Sequence, residues 1–394
     1  YFQTQVLSVT HRIAPQLLDA QARFMRYLER EGRLNRAIEF LPTDDELAAL
    51  RQAGEGLATP EAAVLLAYSK IWLSDELIAS KLPDDPWVAT AIERYFPAQL
   101  RERYAPYMQR HALRREIIAT HVLNSMVNRV GSTFVHRLGE TTGARAHEVV
   151  RAYLLAREIF GLVPLWLAIE ALDNKVDDAV QSSMLIATSG QLERATTWFL
   201  RSRRLQDPMA ATIAHFQPNV AALSTSLPRL LDDVEQARLA AKAAELANAG
   251  VPAELAQRVA GFDTLQAALD IAEVAAEAGK PVGAVAAVYF EVANRLGLPW
   301  LTEKIGALTG GAHWRTLARS AMQDDVAALT RNITAGVVAD SSEGALAHDL
   351  VGAWADANRR SLARAAQLLG ELRALPATDE AMLSVALREL RALA

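Results

Sequence analysis

The apolar residues of this chain recur at helical spacing along most of its length. In the segment that starts at Thr59, apolar side chains fall three or four residues apart, at Val64, Leu65, Tyr68, Ile71, Trp72 and Ile78. No stretch alternates apolar and polar residues as a half-buried strand does. The pattern predicts an all-α protein, an irregular assembly of roughly fourteen helices in two subdomains, with no Rossmann unit.

Local signals mark where several of these helices begin and end. "PTDDEL" supplies Thr43 as an N-cap with Glu46 three residues later, which is a capping box. "LATPEAA" supplies Thr59 as an N-cap with Pro60 at the first helical position. Breakers between helices are predicted at "LPDDP" (82–86), "YFP" (95–97), "YAP" (104–106), "GAR" (143–145) and "QDP" (206–208).

Composition changes at about residue 206, where an alanine-rich section begins. We therefore expect residues 1–32 to form a leading helix that continues from an upstream domain, residues 33–205 a helical subdomain, and residues 206–394 an alanine-rich helical subdomain. The chain starts at Tyr1, without methionine and without the features of a signal peptide. We expect it to be part of a longer protein; whether Tyr-Phe-Gln is native or a tag remnant stays open.

A polar stripe crosses the helix predicted in "REIIATHVLNSMVNRVGSTF" (115–134). Glu116, Thr120, Asn124 and Asn128 recur every four residues opposite an apolar arc, and Arg129 falls at the edge of that arc. A buried Arg129 needs a carboxylate or several carbonyls, and two asparagines inside a helix indicate tertiary partners. We favour hydrogen bonding between helices or domains over ligand contact or solvation. Asn128→Leu is then expected to cost ~1–3 kcal/mol.

Composition removes several classes of chemistry. The chain has no cysteine, which excludes disulfides, thiol chemistry and cysteine-ligated metals. Its net charge of −5 gives no electrostatic footprint for nucleic acid, and no apolar run approaches the ~20 residues of a membrane span. The eight histidines form no i, i+4 pair on a helix. We expect no metal, nucleic acid or membrane partner.

Two further motifs have a structural and a chemical reading. "GALTGGAHW" (306–314) follows a helix rather than a strand, which favours a helix-to-helix turn over a phosphate-binding loop. In "EALDNKVDDAV" (170–180), Asp173, Asn174 and Lys175 are candidates either for a polar helix corner or for a catalytic dyad with the aspartates that follow. The carboxylate clusters "PTDDE", "LPDDP" and "LDDVE" are read as helix starts, where acids suit the helix dipole.

A series of segments, in order, resembles the C-terminal region of the large bacterial NAD-specific glutamate dehydrogenases. They are "LNRAIEFLPTDDEL", "GLATPEAAVLLAYSKIWLSDELIASKLPDDPW", "YFPAQLRERY", "RREIIATHVLNSMVNRVGSTFVHRL", "AYLLAREIFGL", "LWLAIEALDNKV", "VYFEVANRLGLPWLTEKI" and "HWRTLARSAMQDDVAALTRNITAGVV". The chain departs from the family pattern at His121 and Ser125, where an aliphatic and an acidic residue are expected, and it matches less well around 205–280.

The resemblance implies an oxidoreductase whose glutamate-binding core and NAD-binding Rossmann unit lie upstream. The parent enzyme would deaminate L-glutamate oxidatively to 2-oxoglutarate and ammonium, with NAD as its cofactor. No catalytic, cofactor-binding or metal-binding residue is carried over to this chain, because none of those motifs occurs in it. The implied partners are the upstream catalytic domain of the same polypeptide and further copies in a cytoplasmic homotetramer.

Two alternatives stay open at this point. The chain could be a stand-alone helical scaffold or adaptor protein. It could also bind a regulatory anion through the basic runs "RREI" (114–117) and "RSRR" (201–204), although such runs are typical of helix C-termini. The interface candidates are Glu116, Thr120, Asn124, Asn128, Arg129, Asp173, Asn174 and Lys175.

Overall fold

The computed structural model describes residues 2–308, 313–339, 341 and 344–393. Within these residues there are twenty-one α-helices of five or more residues and two of four residues, and there is no strand. The all-α prediction is therefore confirmed. The predicted count of roughly fourteen helices was wrong, because many predicted segments are divided into shorter helices.

The first compact unit comprises residues up to 215 together with 249–251. Its helices are α1 Phe2–Arg12, α2 Ala14–Arg30, α3 Asp44–Ala53, α4 Thr59–Ala79, α5 Pro86–Ala89, α6 Ala91–Tyr95, α7 Ala98–Met108, α8 Arg114–Val130, α9 Phe134–Thr142, α10 Ala146–Ile159, α11 Leu162–Glu170 and α12 Asp178–Arg201. Short 3-10 turns lie at Leu82–Asp84 and Arg203–Gln206.

The second compact unit comprises residues 216–248 and 252 onwards. Its helices are α13 Met209–Leu230, which begins in the first unit, α14 Asp233–Asn248, α15 Ala253–Ala260, α16 Phe262–Leu265, α17 Ala268–Ala278, α18 Val282–Arg295, α19 Leu298–Gly306, α20 His313–Ala339, α21 Ala347–Ala357, α22 Arg359–Ala374 and α23 Glu380–Arg391. The domain bounds 33–205 and 206–394 stay a prediction.

Several helix breaks have local causes that apolar periodicity does not reveal. The predicted leading helix is interrupted at Ile13, because Pro15 lacks the N–H that a continuous helix would need there. Thr90 separates α5 from α6, and Gly261 separates α15 from α16. Conversely, Pro106 does not end a helix as predicted but lies in the last turn of α7, where only one hydrogen bond is lost.

Side-chain capping marks the start of some of the helices. The capping box of α3 is confirmed: the Thr43 N–H donates to Glu46 Oε2 at 2.8 Å, and the Glu46 N–H donates to Thr43 Oγ1 at 3.3 Å. The predicted cap of α4 was one residue off, because Ala58 takes the cap position and its N–H donates to Glu61 at 2.7 Å. Asp85 caps α5 as the carboxylate pattern predicted.

Helix α10 forms the centre of the first unit. Nine of its fourteen residues are buried, from Val149 to Ile159, and it packs against α4, α9, α11 and α12. The ring of Tyr153 meets Phe134 of α9 edge-on, with 6.2 Å between ring centroids. Since burying one large aliphatic side chain stabilises by about 1.5–3 kcal/mol, this helix is a main source of the unit's stability.

Arg151, in the N-terminal half of α10, ties this helix to the segments at Asp85 and at Leu205–Asp207. Its guanidinium donates to the carbonyls of Leu205 and Asp207, both at 2.8 Å, and to Asp85 Oδ2 at 2.9 Å.

In the second unit, α18 packs against α17, α19, α20 and α21 through small and branched side chains such as Val285, Ala286 and Val292. Both units thus have an apolar helical centre.

In the described part of the chain, no single helix has both the length and the apolar composition to cross a membrane. Among the described helices, one pair, α10 and α11, reaches both when the two are taken together, and they are bent relative to each other by 73°.

Candidate functional site

The predicted polar stripe lies on α8, and its residues differ in exposure. Glu116 and Thr120 are exposed, whereas Asn124 and Asn128 are half-buried. The opposite, apolar arc of α8 is buried as predicted and packs against α1, α4 and α6. The stripe therefore runs from open surface at the start of the helix to a partly covered environment near its end.

Arg129, the last charged residue of α8, forms a buried ion pair with Glu170 at the end of α11. Only 13% of the Arg129 side chain and 10% of the Glu170 side chain is exposed. The guanidinium also lies over the indole ring of Trp166, 4.9 Å from its centroid, which is a favourable cation–π contact. Ser189 of α12 donates to the Arg129 carbonyl at 3.3 Å. These contacts join α8 to α11 and α12.

The partners of Arg129 were missed by sequence reasoning, although a signal for them exists. Trp166 and Glu170 are four residues apart in α11, so they lie on the same face of that helix. An aromatic ring and a carboxylate at this spacing form a site for a buried guanidinium. Nothing in the sequence alone connects this pair to α8, because the two helices meet only through the tertiary fold.

Asn128 has an unusual environment. Its side-chain Oδ1 is buried and, among the described residues, has no hydrogen-bond partner. An amide oxygen removed from water without a donor costs about 1–3 kcal/mol. Within the described part of this chain, no group therefore donates a hydrogen bond to the side-chain oxygen of Asn128.

Asp173, Asn174 and Lys175 form an exposed corner between α11 and α12. Asn174 has a left-handed backbone, with a φ of 59°, which asparagine tolerates better than most residues. The chain then enters α12 through Asp177, whose carboxylate accepts the Ala179 N–H at 2.7 Å. Asp178 forms an ion pair with Arg12. These carboxylates act in a cap and an ion pair, which is the arrangement of a polar helix corner.

The two positions that depart from the family pattern lie near Arg157 of α10. Ser125 receives a hydrogen bond from the Arg157 guanidinium at 3.4 Å, and the adjacent Glu158 pairs with it at 2.6 Å. A carboxylate therefore reaches Arg157 from Glu158, although position 125 is not acidic. Burial lowers the pKa of His121, and the nearby cations Arg94, Arg157 and Arg101 lower it further.

The remaining candidates are a metal site, the basic run at 114–117 and the glycine cluster. Among the described residues, no group of three or more histidine, cysteine, aspartate or glutamate side chains could hold a metal ion. In the basic run at 114–117, Arg114 and Arg115 both contact Asp84, and Arg115 also donates to the Ser80 carbonyl at 2.7 Å. Of the glycine cluster at 306–314, residues 309–312 lie outside the described residues.

Comparison with known proteins identifies the family. A family model described as the C-terminal region of glutamate dehydrogenase matches residues 54–392. The NAD-specific glutamate dehydrogenase of Pseudomonas aeruginosa is 40% identical over 100% of this chain, and that of Halomonas elongata is 38% identical over 99% of it. The enzyme of that name from Mycobacterium tuberculosis is 33% identical over 99% of the chain.

The match covers this chain completely but the relatives only partly. The chain spans 24% of the length of each of these three proteins. The resemblance seen in the sequence is thereby confirmed, and it agrees with an all-helical structure without a Rossmann unit in the described residues. This chain belongs to the C-terminal family of the NAD-specific glutamate dehydrogenases.

Proposed function

We propose that this chain is the non-catalytic, helical C-terminal region of an NAD-dependent glutamate dehydrogenase. In the full-length enzyme, a catalytic part upstream binds NAD and converts L-glutamate to 2-oxoglutarate and ammonium. The helical region packs on that part and supports subunit assembly in a cytoplasmic homotetramer. The observation that carries the proposal is a match over the entire chain to relatives of which it spans only 24%.

The structure of the candidate site supports a structural role. The best-buried charges of the stripe and corner, Arg129 and Glu170, neutralise each other and connect helices. Asp177 caps a helix, and Asp173 is exposed in a turn. A reaction centre needs an acid, a base or a nucleophile held next to an open substrate site, whereas these groups are engaged in maintaining the helical framework.

The proposal is tested by activity and by NAD binding. Purified residues 1–394 are expected to form no NADH from glutamate and NAD, and to give no heat of NAD binding in calorimetry. The full-length gene product, assayed side by side, is expected to form NADH from glutamate and to bind NAD. Glutamate-dependent NADH formation by residues 1–394 alone would overturn the proposal.

The reading frame of the gene distinguishes the dehydrogenase assignment from the alternative of a stand-alone scaffold. A long open reading frame that precedes Tyr1 and encodes a dinucleotide-binding fingerprint supports the dehydrogenase assignment. A stop codon and a start methionine close to Tyr1 would favour a stand-alone scaffold instead.

A further inference from the structure

Helix α7, Ala98–Met108, is largely exposed to solvent. Of its eleven residues, all within the described part of the chain, only Met108 is fully buried. A helix of this length is marginal in water without packing, and Pro106 removes one of its hydrogen bonds. A surface that covers α7 would therefore stabilise this helix.

The exposed part of α7 carries an apolar stripe, which we call the α7 face. It consists of Leu100, Tyr104 and Tyr107, which at i, i+4 and i+7 lie on one side of the helix. Their exposed fractions are 41%, 38% and 68%, and the two tyrosine rings lie 6.2 Å apart. Tyrosines grouped on a surface are typical of protein interfaces, where each ring buries a large area at low entropic cost.

The α7 face is also basic. Arg103 lies over the Tyr104 ring at 5.4 Å, and Arg110 lies over the Tyr107 ring at 5.6 Å. Residues 98–110 contain three arginines and one glutamate, a net charge of +2 in a chain whose net charge is −5. Tyrosine and arginine are the residues that most often dominate binding energy at interfaces.

The positive charge of the α7 face favours an acidic partner surface over a second copy of the same face. A two-fold contact between copies of this chain would place each α7 face on itself and bring Arg103 and Arg110 close to their own counterparts. Like charges across an interface are repulsive. A surface with apolar pockets and carboxylates on its rim complements the tyrosines and the arginines at once.

We propose that the α7 face docks on an acidic, apolar surface of the dehydrogenase polypeptide that precedes this chain. The inference rests on the proposed function, because it requires that longer polypeptide; the relatives, of which this chain spans 24%, have the length to supply it. Tyr104 and Tyr107 are the anchors, and Arg103 and Arg110 meet the carboxylates. Docking buries the exposed side of α7 and stabilises the helix in turn.

The test uses the full-length protein with a photoreactive phenylalanine analogue in place of Tyr107. Irradiation followed by mass spectrometry is expected to join position 107 to a peptide that precedes Tyr1 in the same polypeptide. Glu102 is the matched control, since it lies on the opposite flank of the same helix and is exposed. The analogue at Glu102 is expected to give no such product, and Tyr104→Asp is expected to reduce the product from position 107 about tenfold or more.

Two results would overturn the docking proposal. One is a product that joins position 107 only to residues 1–394 of a second copy, and the other is a yield at position 107 no higher than at Glu102. The same irradiated sample is assayed for glutamate-dependent NADH formation. An active enzyme without the upstream product rejects docking and leaves the proposed function standing, whereas a full-length protein without that activity rejects the proposed function.

Discussion

At the scale of single residues, the Arg129–Glu170 pair should be a main determinant of stability in the first unit. Glu170→Leu removes the carboxylate from a buried guanidinium, and we expect a cost of about 3–5 kcal/mol, reduced in part by the Trp166 ring. Replacing both partners, Arg129→Met with Glu170→Leu, should cost less than Glu170→Leu alone. Urea denaturation of the four proteins of this double-mutant cycle measures the coupling.

The control for this cycle is Asp173→Ala, a carboxylate in the same corner that is exposed to water. Surface substitutions of this kind usually change the free energy of unfolding by less than about 0.5 kcal/mol. A Glu170→Leu variant no less stable than Asp173→Ala would show that the buried pair contributes nothing.

Asn128 should respond differently from the expectation based on sequence. Its buried Oδ1 has no hydrogen-bond partner in the described chain, so Asn128→Leu leaves no partner of that oxygen unsatisfied. We expect the melting temperature of residues 1–394 to stay unchanged or rise, with Thr120→Val as an exposed comparison. If the proposed upstream part donates a hydrogen bond to this oxygen, the same change in the full-length protein should cost ~1–3 kcal/mol. A large loss in the short chain would contradict this.

A pH dependence follows from His136, which lies against the rings of Phe24 and Tyr27. Burial lowers the pKa of His136, with Glu140 opposing this and Arg23 and Arg30 adding to it. In the unfolded chain the histidine takes up a proton at about pH 6.5. As the pH falls below that value, the unfolded state binds the proton more readily than the folded state, so the free energy of unfolding decreases.

The measurement is denaturation by urea between about pH 7.5 and about pH 5.5. His136→Phe keeps an aromatic ring in the cluster and removes the titrating group, so its stability should fall less over this range than that of the unmodified chain. His11→Gln, a change at an exposed histidine, should leave the pH dependence as it was. Equal pH slopes for His136→Phe and the unmodified chain would refute the assignment.

The sequence predicted that Arg129 needs a buried partner, but it did not identify Glu170 as that partner. The position of Arg129 at the edge of an apolar arc indicated a buried cation, since helical periodicity alone places it there. Glu170, forty-one residues later, reaches it from the end of α11. That pairing depends on tertiary contacts, which no local pattern encodes.

At the scale of elements, Gly56 fixes how the loop before α4 meets the start of α2. A β-carbon at position 56 would lie 2.3 Å from the carbonyl carbon of Ala14 and 2.5 Å from its Cβ. The Ala14 backbone cannot move aside without shifting α2, so we expect Gly56→Ala to cost about 1–3 kcal/mol or more through overpacking. Thermal unfolding of the purified chain measures the change.

Gly190→Ala is the matched control for this substitution. Gly190 lies inside α12 in the same unit, and an added β-carbon would make only an ordinary contact, at 3.5 Å, with the Arg194 side chain. Alanine favours the helix over glycine by about 0.8–1 kcal/mol, so this variant should be more stable than the unmodified chain. A Gly56→Ala variant with unchanged stability would mean that the loop is free to move away from α2.

Helix type was predictable from the sequence, but helix number was not. Periodic apolar positions and the capping box at Thr43 depend on local chemistry, and both are confirmed. The break at Ile13 has a local cause in Pro15 that apolar periodicity does not reveal, whereas α7 continues through Pro106. A proline near a helix end loses a single bond, so neighbouring contacts decide whether the helix continues.

At the scale of the whole molecule, family and fold class were accessible from sequence because they rest on many positions at once. Residues 54–392 match the family model, and helices dominate the described chain. Function is less accessible, because we propose that the parent activity lies in polypeptide upstream of this chain. The break predicted at "YAP" falls between Leu100 and Tyr107, so the predicted helices do not show the i, i+4, i+7 spacing that the continuous helix α7 gives them.

Helix α10 has a consequence for how the first unit exchanges amide protons with solvent. Buried residues occur on all sides of this helix, from Val149 to Ile159. The backbone amides from Val150 to Ile159 therefore meet deuterated water mainly when the surrounding helices separate, which is a global opening of the unit. The exchange rate of these amides therefore serves as a reference rate for that opening. The faster exchange caused by local fraying of any other helix in the unit can be compared with it.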